Sequence, residues 1–148
     1  MPYQNPVPHA DTSKPSFRMP PGATDSHCHI YGRPEQYRFA ADPAYLPPAV
    51  FTEDYLRILS VTGVERAVFV HAALYGTDNS LVLDAIAATP RRFRAIGLIN
   101  EATTDAELER LHAGGVRGYR SNKVSKKGIQ LGEAKRLAGR VKRFGWNA

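Results

Sequence analysis

The side chains best suited to chemistry lie at the ends of four short apolar runs. The most suggestive are His27 and His29, in Gly22-Ala-Thr-Asp-Ser-His-Cys-His-Ile-Tyr-Gly32. Side chains two apart in a strand share a face, so both imidazoles point one way and Cys28 the other. Two ring nitrogens on one face supply part of a divalent-metal site, which needs three or four ligands, or a base for activating water. The alternative is a pair of half-buried strand residues that bind nothing. Asp25, two residues earlier, either orients an imidazole or accepts backbone N–H groups. After the second run come His71, Tyr75, Thr77 and Asp78, and after the third Asn100 and Glu101. His71 is either a rim residue or a satisfied histidine packed at a strand end, and Asp78 and Asn79 are either site residues or helix caps. The fourth run is followed by cations: Arg120, Lys123, Lys126 and Lys127. An arginine grips a carboxylate with two bonds, so Arg120 is the leading anion-binding candidate, against a plain surface charge. Arg117 lies an odd number of positions away and is expected to face the other side.

The elements that must position these residues read as repeated strand-helix units. Residues 23–28 form the first strand, followed by a long Pro-punctuated loop holding Tyr31, Tyr37, Phe39 and Tyr45, whose aromatics either wall a pocket or cover the core. Thr52 is expected to cap a helix with an acidic first turn that Gly63 ends. Glu65–Ala72 is the second strand, and its continuous apolar stretch marks burial on both faces. A helix over Ser80–Ala88 stops at Pro90, and Phe93–Ile99 is the third strand. Thr104 with Glu107 reads as a capping box, and Gly114-Gly115 closes that helix. Val116–Ser121 is the fourth strand, and the last helix runs from about Gly132 to Phe144 with Gly145 as its cap. Strand-helix units in series predict an α/β chain with a parallel sheet. Trp146-Asn147-Ala148 reads as the opening of a fifth strand, which makes the whole a (βα)4 half of a (β/α)8 TIM barrel, truncated at the start of strand five.

Length and charge narrow the partners. The 148 residues suit one domain: a flexible Pro-rich arm over residues 1–21, which either hangs free or lies against the body, and a folded unit over 22–148. The single cysteine fits a reducing, cytoplasmic setting. No apolar run reaches the length of about 18 residues that a membrane helix needs. The net charge of +6 is concentrated in residues 120–143, which hold nine basic side chains and one acid. Few aromatic stacking partners accompany them, so they read as the solvated side of the last helix, and no nucleic acid is expected as a partner. Gly-x-Gly-x-x-Gly, P-loop and serine-elbow motifs are absent.

Taken together, Thr24-Asp-Ser-His-Cys-His-Ile-Tyr-Gly32, Val70-His-Ala-Ala-Leu-Tyr-Gly-Thr-Asp-Asn79 and Gly115-Val-Arg-Gly-Tyr-Arg-Ser-Asn122 resemble the amidohydrolase superfamily, in the branch of 2-pyrone-4,6-dicarboxylate lactonase-like hydrolases. The resemblance implies a distorted TIM barrel of about 250 residues or more when complete. It implies that His27 and His29 are catalytic and, in many relatives, metal ligands to a divalent ion such as zinc or manganese; a metal-independent mechanism stays open beside this. Arg120 would hold a substrate carboxylate, and Tyr45 would touch substrate from the first loop. Tyr75 and Lys126 join them as substrate-binding candidates, and Asp25 stands behind the histidines. Ala73 stands where this branch tends to have Ser, and Ser125-Lys126 where it has Lys-Arg. The later histidines and the aspartate that acts on water belong to strands beyond residue 148.

The expected function is therefore that of a hydrolase fragment, acting through activated water on a lactone or amide-type bond of a small carboxylated substrate, and inactive without a C-terminal half. A half barrel has two unpaired edges, which a homodimer or a complementary half would cover; a gene fragment also accounts for the length. The alternative is a non-catalytic, self-associating α/β protein with a basic anion-binding face.

Overall fold

Burial alternates along the strand Phe93–Gly97, and that alternation shows which side of the sheet the helices cover. The computed structural model describes residues 3–4, 9, 11–40, 45–48, 50–89, 92–120 and 131–147. The elements, in order, are β1 (Tyr3–Gln4), β2 (Thr24–Cys28), β3 (Tyr45–Leu46), α1 (Thr52–Thr62), β4 (Arg66–Val70), α2 (Ser80–Ala88), β5 (Phe93–Gly97), α3 (Asp105–Ala113), β6 (Val116–Tyr119) and α4 (Leu131–Val141). Short 3-10 turns occupy Ala73–Tyr75 and Lys142–Phe144. The main sheet has the order β2-β4-β5-β6, with every pairing parallel. This is the expected (βα)4 half of a TIM barrel. The arm contributes β1, which pairs in parallel with β3 in the first loop.

In-register neighbours share a face, so Ala67, Phe69, Phe93 and Ala95 form one row, and Val68, Arg94 and Ile96 the other. The first row is buried at 2% exposure or less. There Phe69 packs on Phe93 at 4.6 Å between ring centroids and on Tyr55 of α1 at 5.8 Å. Leu108 and Leu111 of α3 and Leu137 and Val141 of α4 close the same core. The second row, which Val70 joins beside Ile96, is more open: Arg94 is exposed and Val68 and Ile96 are half-buried, while Val70 is buried. Loop aromatics Tyr31, Tyr37, Phe39 and Tyr45 pack against the core, and Tyr31 and Tyr37 also wall a cavity of about 190 Å³ beside α2. Tyr31 and Tyr37 thus both wall a pocket and cover the core.

The fifth strand does begin at the end of the described residues. Asn147 bridges Gly118 in parallel, and Tyr119 donates its backbone N–H to the Asn147 carbonyl at 3.0 Å. A Cβ on Gly118 would stand 2.6 Å from that carbonyl oxygen, so only glycine admits the incoming strand.

Most helix ends fall where the residues place them. Gly63 and Gly145 adopt the left-handed conformation that stops a helix, with φ of 76° and 65°. Thr104 accepts from the Glu107 N–H, although the Glu107 carboxylate turns to Arg110 and does not close the box. One cap differs from expectation. Phe51, and not Thr52, is the N-cap of α1, because the Asp54 carboxylate reaches back to the Phe51 N–H at 2.9 Å and satisfies it without a capping hydroxyl. Among the described residues no helix is long and apolar enough to cross a membrane.

Candidate active site

His27 and His29 reach the open face at the carboxyl end of β2, both exposed, with ring centroids 5.2 Å apart and planes nearly perpendicular. Cys28 points into the core at 8% exposure, and burial raises its thiol pKa to about 12, so it is an inert neutral group. The His29 ring is fixed by Nδ1, which lies 2.6 Å from the Val70 carbonyl oxygen. A carbonyl can only accept, so Nδ1 carries the hydrogen of the neutral ring and Nε2 keeps its lone pair. That nitrogen is free to take a proton or a metal. Arg120 arrives from the other flank of the same strand end: one guanidinium nitrogen, Nη1, donates to the His71 carbonyl at 3.3 Å. Two consecutive carbonyls at the end of β4, of Val70 and His71, therefore hold His29 and Arg120, and a guanidinium has further N–H groups with which it can hold an anion.

Asp25 takes the backbone role considered for it. Its Oδ1 accepts the His27 backbone N–H at 3.0 Å, and its Oδ2 accepts the Tyr55 hydroxyl at 2.8 Å. Burial first, and then hydrogen bonding to Cys28 and Asp25, push the Tyr55 hydroxyl pKa upward. Tyr55 escaped notice in the sequence because its ring fits the apolar stripe of α1; the signal was its hydroxyl, which must find a partner when buried. Tyr45 is half-buried, its hydroxyl 3.3 Å from that of Tyr31. Tyr75 is 4% exposed and accepts the Gly32 N–H at 2.9 Å, so its hydroxyl is engaged inside the fold. Lys126, like Asn122, Lys123 and Lys127, lies outside the described residues.

His71 is packed at the strand end, 1% exposed and stacked on Tyr75, and neither ring nitrogen has a hydrogen-bond partner among the described residues. Burial lowers its pKa to about 4; the nearby Asp78 backbone and carboxylate offset this only in part, while Arg120 and His29 add to it. Asp78 is a cap, accepting from the Ser80 N–H and hydroxyl, which hold its carboxyl below the usual range. Asn79, 2% exposed, staples two loops by donating to the Thr77 and Leu98 carbonyls and accepting the Leu98 N–H. Arg117 turns to the helix side, onto the His112 carbonyl at the end of α3.

The basic last helix is not simply a solvated face. Arg136 pairs with Glu101, Arg140 with Asp105 at 2.7 Å, and Arg143 with Glu109 at 3.3 Å. The acids on and just before α3 neutralise much of the charge that an anionic partner would meet. As for metal, no group of three or more His, Cys, Asp or Glu side chains able to hold an ion comes together among the described residues. Two imidazoles alone do not complete such a site.

A parallel half barrel with a histidine pair at the end of its first strand and an arginine after its fourth defines a class, and sequence comparison agrees. The chain belongs to the amidohydrolase family, whose profile, described as Amidohydrolase, matches residues 24–147. It is 33% identical over 141 residues to a 2-pyrone-4,6-dicarboxylate hydrolase of Comamonas testosteroni, covering 94% of this chain and 46% of that protein. It is 38% identical over 113 residues to a 4-sulfomuconolactone hydrolase of Rhizobium radiobacter, covering 76% of this chain and 38% of that one. An apo crystal structure from Agrobacterium tumefaciens superposes with a TM-score of 0.77 at 28% identity, over 89% of this chain and 48% of the other. The chain thus spans less than half the length of each of these relatives.

Proposed function

We propose that this chain is the part of a hydrolase that binds a small carboxylated lactone, or a related amide-type substrate, and presents water to its carbonyl. The observation that carries the reading is the bond from His29 Nδ1 to the Val70 carbonyl, which leaves Nε2 as the accepting nitrogen on the open face. In this scheme Arg120 holds a substrate carboxylate, with Tyr45 and Lys126 as further contacts, while the buried Tyr75 supports the first loop through Gly32. As the water oxygen bonds to the carbonyl carbon, its proton passes to Nε2. The ring C–O bond then breaks and the departing oxygen takes a proton, giving the open-chain acid. In the metal-dependent form of the proposal His27 and His29 would instead furnish two ligands to a zinc or manganese ion, and the other donors and the base that takes the water's proton would come from outside the described residues; the proton transfer to Nε2 belongs to the metal-independent form. We place the protein in the cytoplasm, and we expect turnover only when a second half, or a second copy, covers the open face.

The test is ring opening of 2-pyrone-4,6-dicarboxylate and 4-sulfomuconolactone, followed by ultraviolet absorbance. The chain would be assayed alone and mixed with the C-terminal half of a relative. Turnover is expected in the mixture and is expected to drop by about 100-fold or more in His29→Ala, the size of a general-base contribution. In Arg120→Met it is expected to fall chiefly through KM. Turnover that is indifferent to both substitutions would overturn the assignment.

A further inference from the structure

The pairing of β2 with β4 is interrupted once. Thr24 and Asp25 stand opposite Arg66 and Ala67, but Cys28 stands opposite Phe69. Two β2 residues, Ser26 and His27, therefore share the space opposite the single residue Val68. A bulge of this kind reverses the side-chain parity of everything that follows it. In unbroken register His27 would stand beside Phe69 and, with His29, point into the helix-covered core, while Cys28 would point to the open face. The observed strand has the opposite arrangement, with Cys28 buried and both histidines exposed.

A bulge also removes a backbone group from the ladder, and that group needs a partner. Asp25 supplies it: Oδ1 accepts the His27 N–H at 3.0 Å, inside the irregular stretch itself. The other carboxylate oxygen is fixed by the Tyr55 hydroxyl at 2.8 Å. Tyr55 is in turn seated edge-on against Phe69, the β4 residue at which the shifted register resumes. The contacts close a circuit from α1 through the carboxylate to the bulge and back to β4. The Cys28 thiol, 3.5 Å from the Val68 carbonyl, lies within it.

We propose that Asp25 and Tyr55 are positioning residues that hold this bulge and thereby set which face of the sheet His27 and His29 occupy. They act on the main chain of His27, and through it on both rings. The importance of that face rests on the reading of the two histidines as the working pair, but strand geometry can be tested without turnover.

Cys28 is the only cysteine in the chain, so a thiol reagent reports the parity of β2 directly. The rate of reaction with an aromatic disulfide reagent would be measured on the full chain for Tyr55→Phe, Asp25→Ala and Asp25→Asn. Leu108→Ala, a core change on α3, serves as the control for general loosening. Tyr55→Phe, which loses one hydrogen bond, is expected to label about tenfold faster than the parent, and Asp25→Ala, which loses two, at least as fast. They should also exceed Leu108→Ala when compared at equal global stability, and they should shift the ring carbon and proton resonances of His27 and His29. Asp25→Asn keeps an acceptor oxygen and is expected to restore most of the protection. Should Asp25→Ala fail to fold, Tyr55→Phe decides, since it removes one oxygen and keeps the ring on Phe69. Labelling no faster than the stability-matched control, or imidazole resonances unchanged from the parent, would overturn the proposal. Faster labelling together with no turnover even in the mixture with a relative's C-terminal half upholds the positioning role and counts against the hydrolase reading alone.

Discussion

The two faces of the sheet are made by the same strands and differ in almost everything else. On the helix side, Phe69, Phe93 and Ala95 have no exposure and Leu108 and Leu111 close over them. On the open side, one residue along in each strand, lie Val68, Arg94 and Ile96, with His27 and His29 at the rim. Stability is concentrated on the first face and the candidate chemistry on the second, because period-two alternation lets neighbouring residues answer to different requirements. His71 crosses that division, being a titratable ring held among apolar ones.

The largest expected effect tests the division directly. Phe69→Ala should cost about 3–5 kcal/mol, the usual loss for a buried aromatic, whereas His27→Ala on the exposed rim should stay within about 0.5 kcal/mol. Urea unfolding followed by circular dichroism measures both, and similar losses at the two positions would erase the contrast.

A smaller effect comes from His71. Its folded pKa of about 4 lies below the ordinary histidine value of 6.5, so between these limits the unfolded chain binds the extra proton. Stability is then fully present above pH 6.5 and is lost as pH falls toward 4, by about 3 kcal/mol in all. The urea midpoint should decline across that window, and His71→Phe should flatten the decline. A midpoint equally steep in the variant would assign the loss to other groups.

The smallest effect belongs to the seam between α3 and α4. Its ion pairs are largely exposed, so Arg143→Ala should cost about 0–1 kcal/mol, with most of that gone at high salt. A larger, salt-insensitive loss would point instead to the guanidinium packed over the Phe144 ring at 4.7 Å.

Local sequence sufficed for features that depend on near neighbours along the chain. The alternation of apolar runs with helical stripes gives four βα units, Gly63 and Gly145 mark helix ends by their tolerance of positive φ, and His-Cys-His places two imidazoles opposite one thiol. Features that depend on what arrives from a distant segment were decided only by the tertiary structure. Acids of the preceding unit met Arg136, Arg140 and Arg143, so that the solvated face expected for the last helix is also an ion-paired one. Tyr75 lost its hydroxyl to the Gly32 N–H, and His71 was buried against Tyr75 with no ring-nitrogen partner among the described residues. Above all, the face that His27 and His29 occupy depends on a one-residue shift against β4 and on a tyrosine 30 residues away from Asp25. Register is a relation between two strands, so the spacing within one of them fixes that the histidines point together but not toward which side.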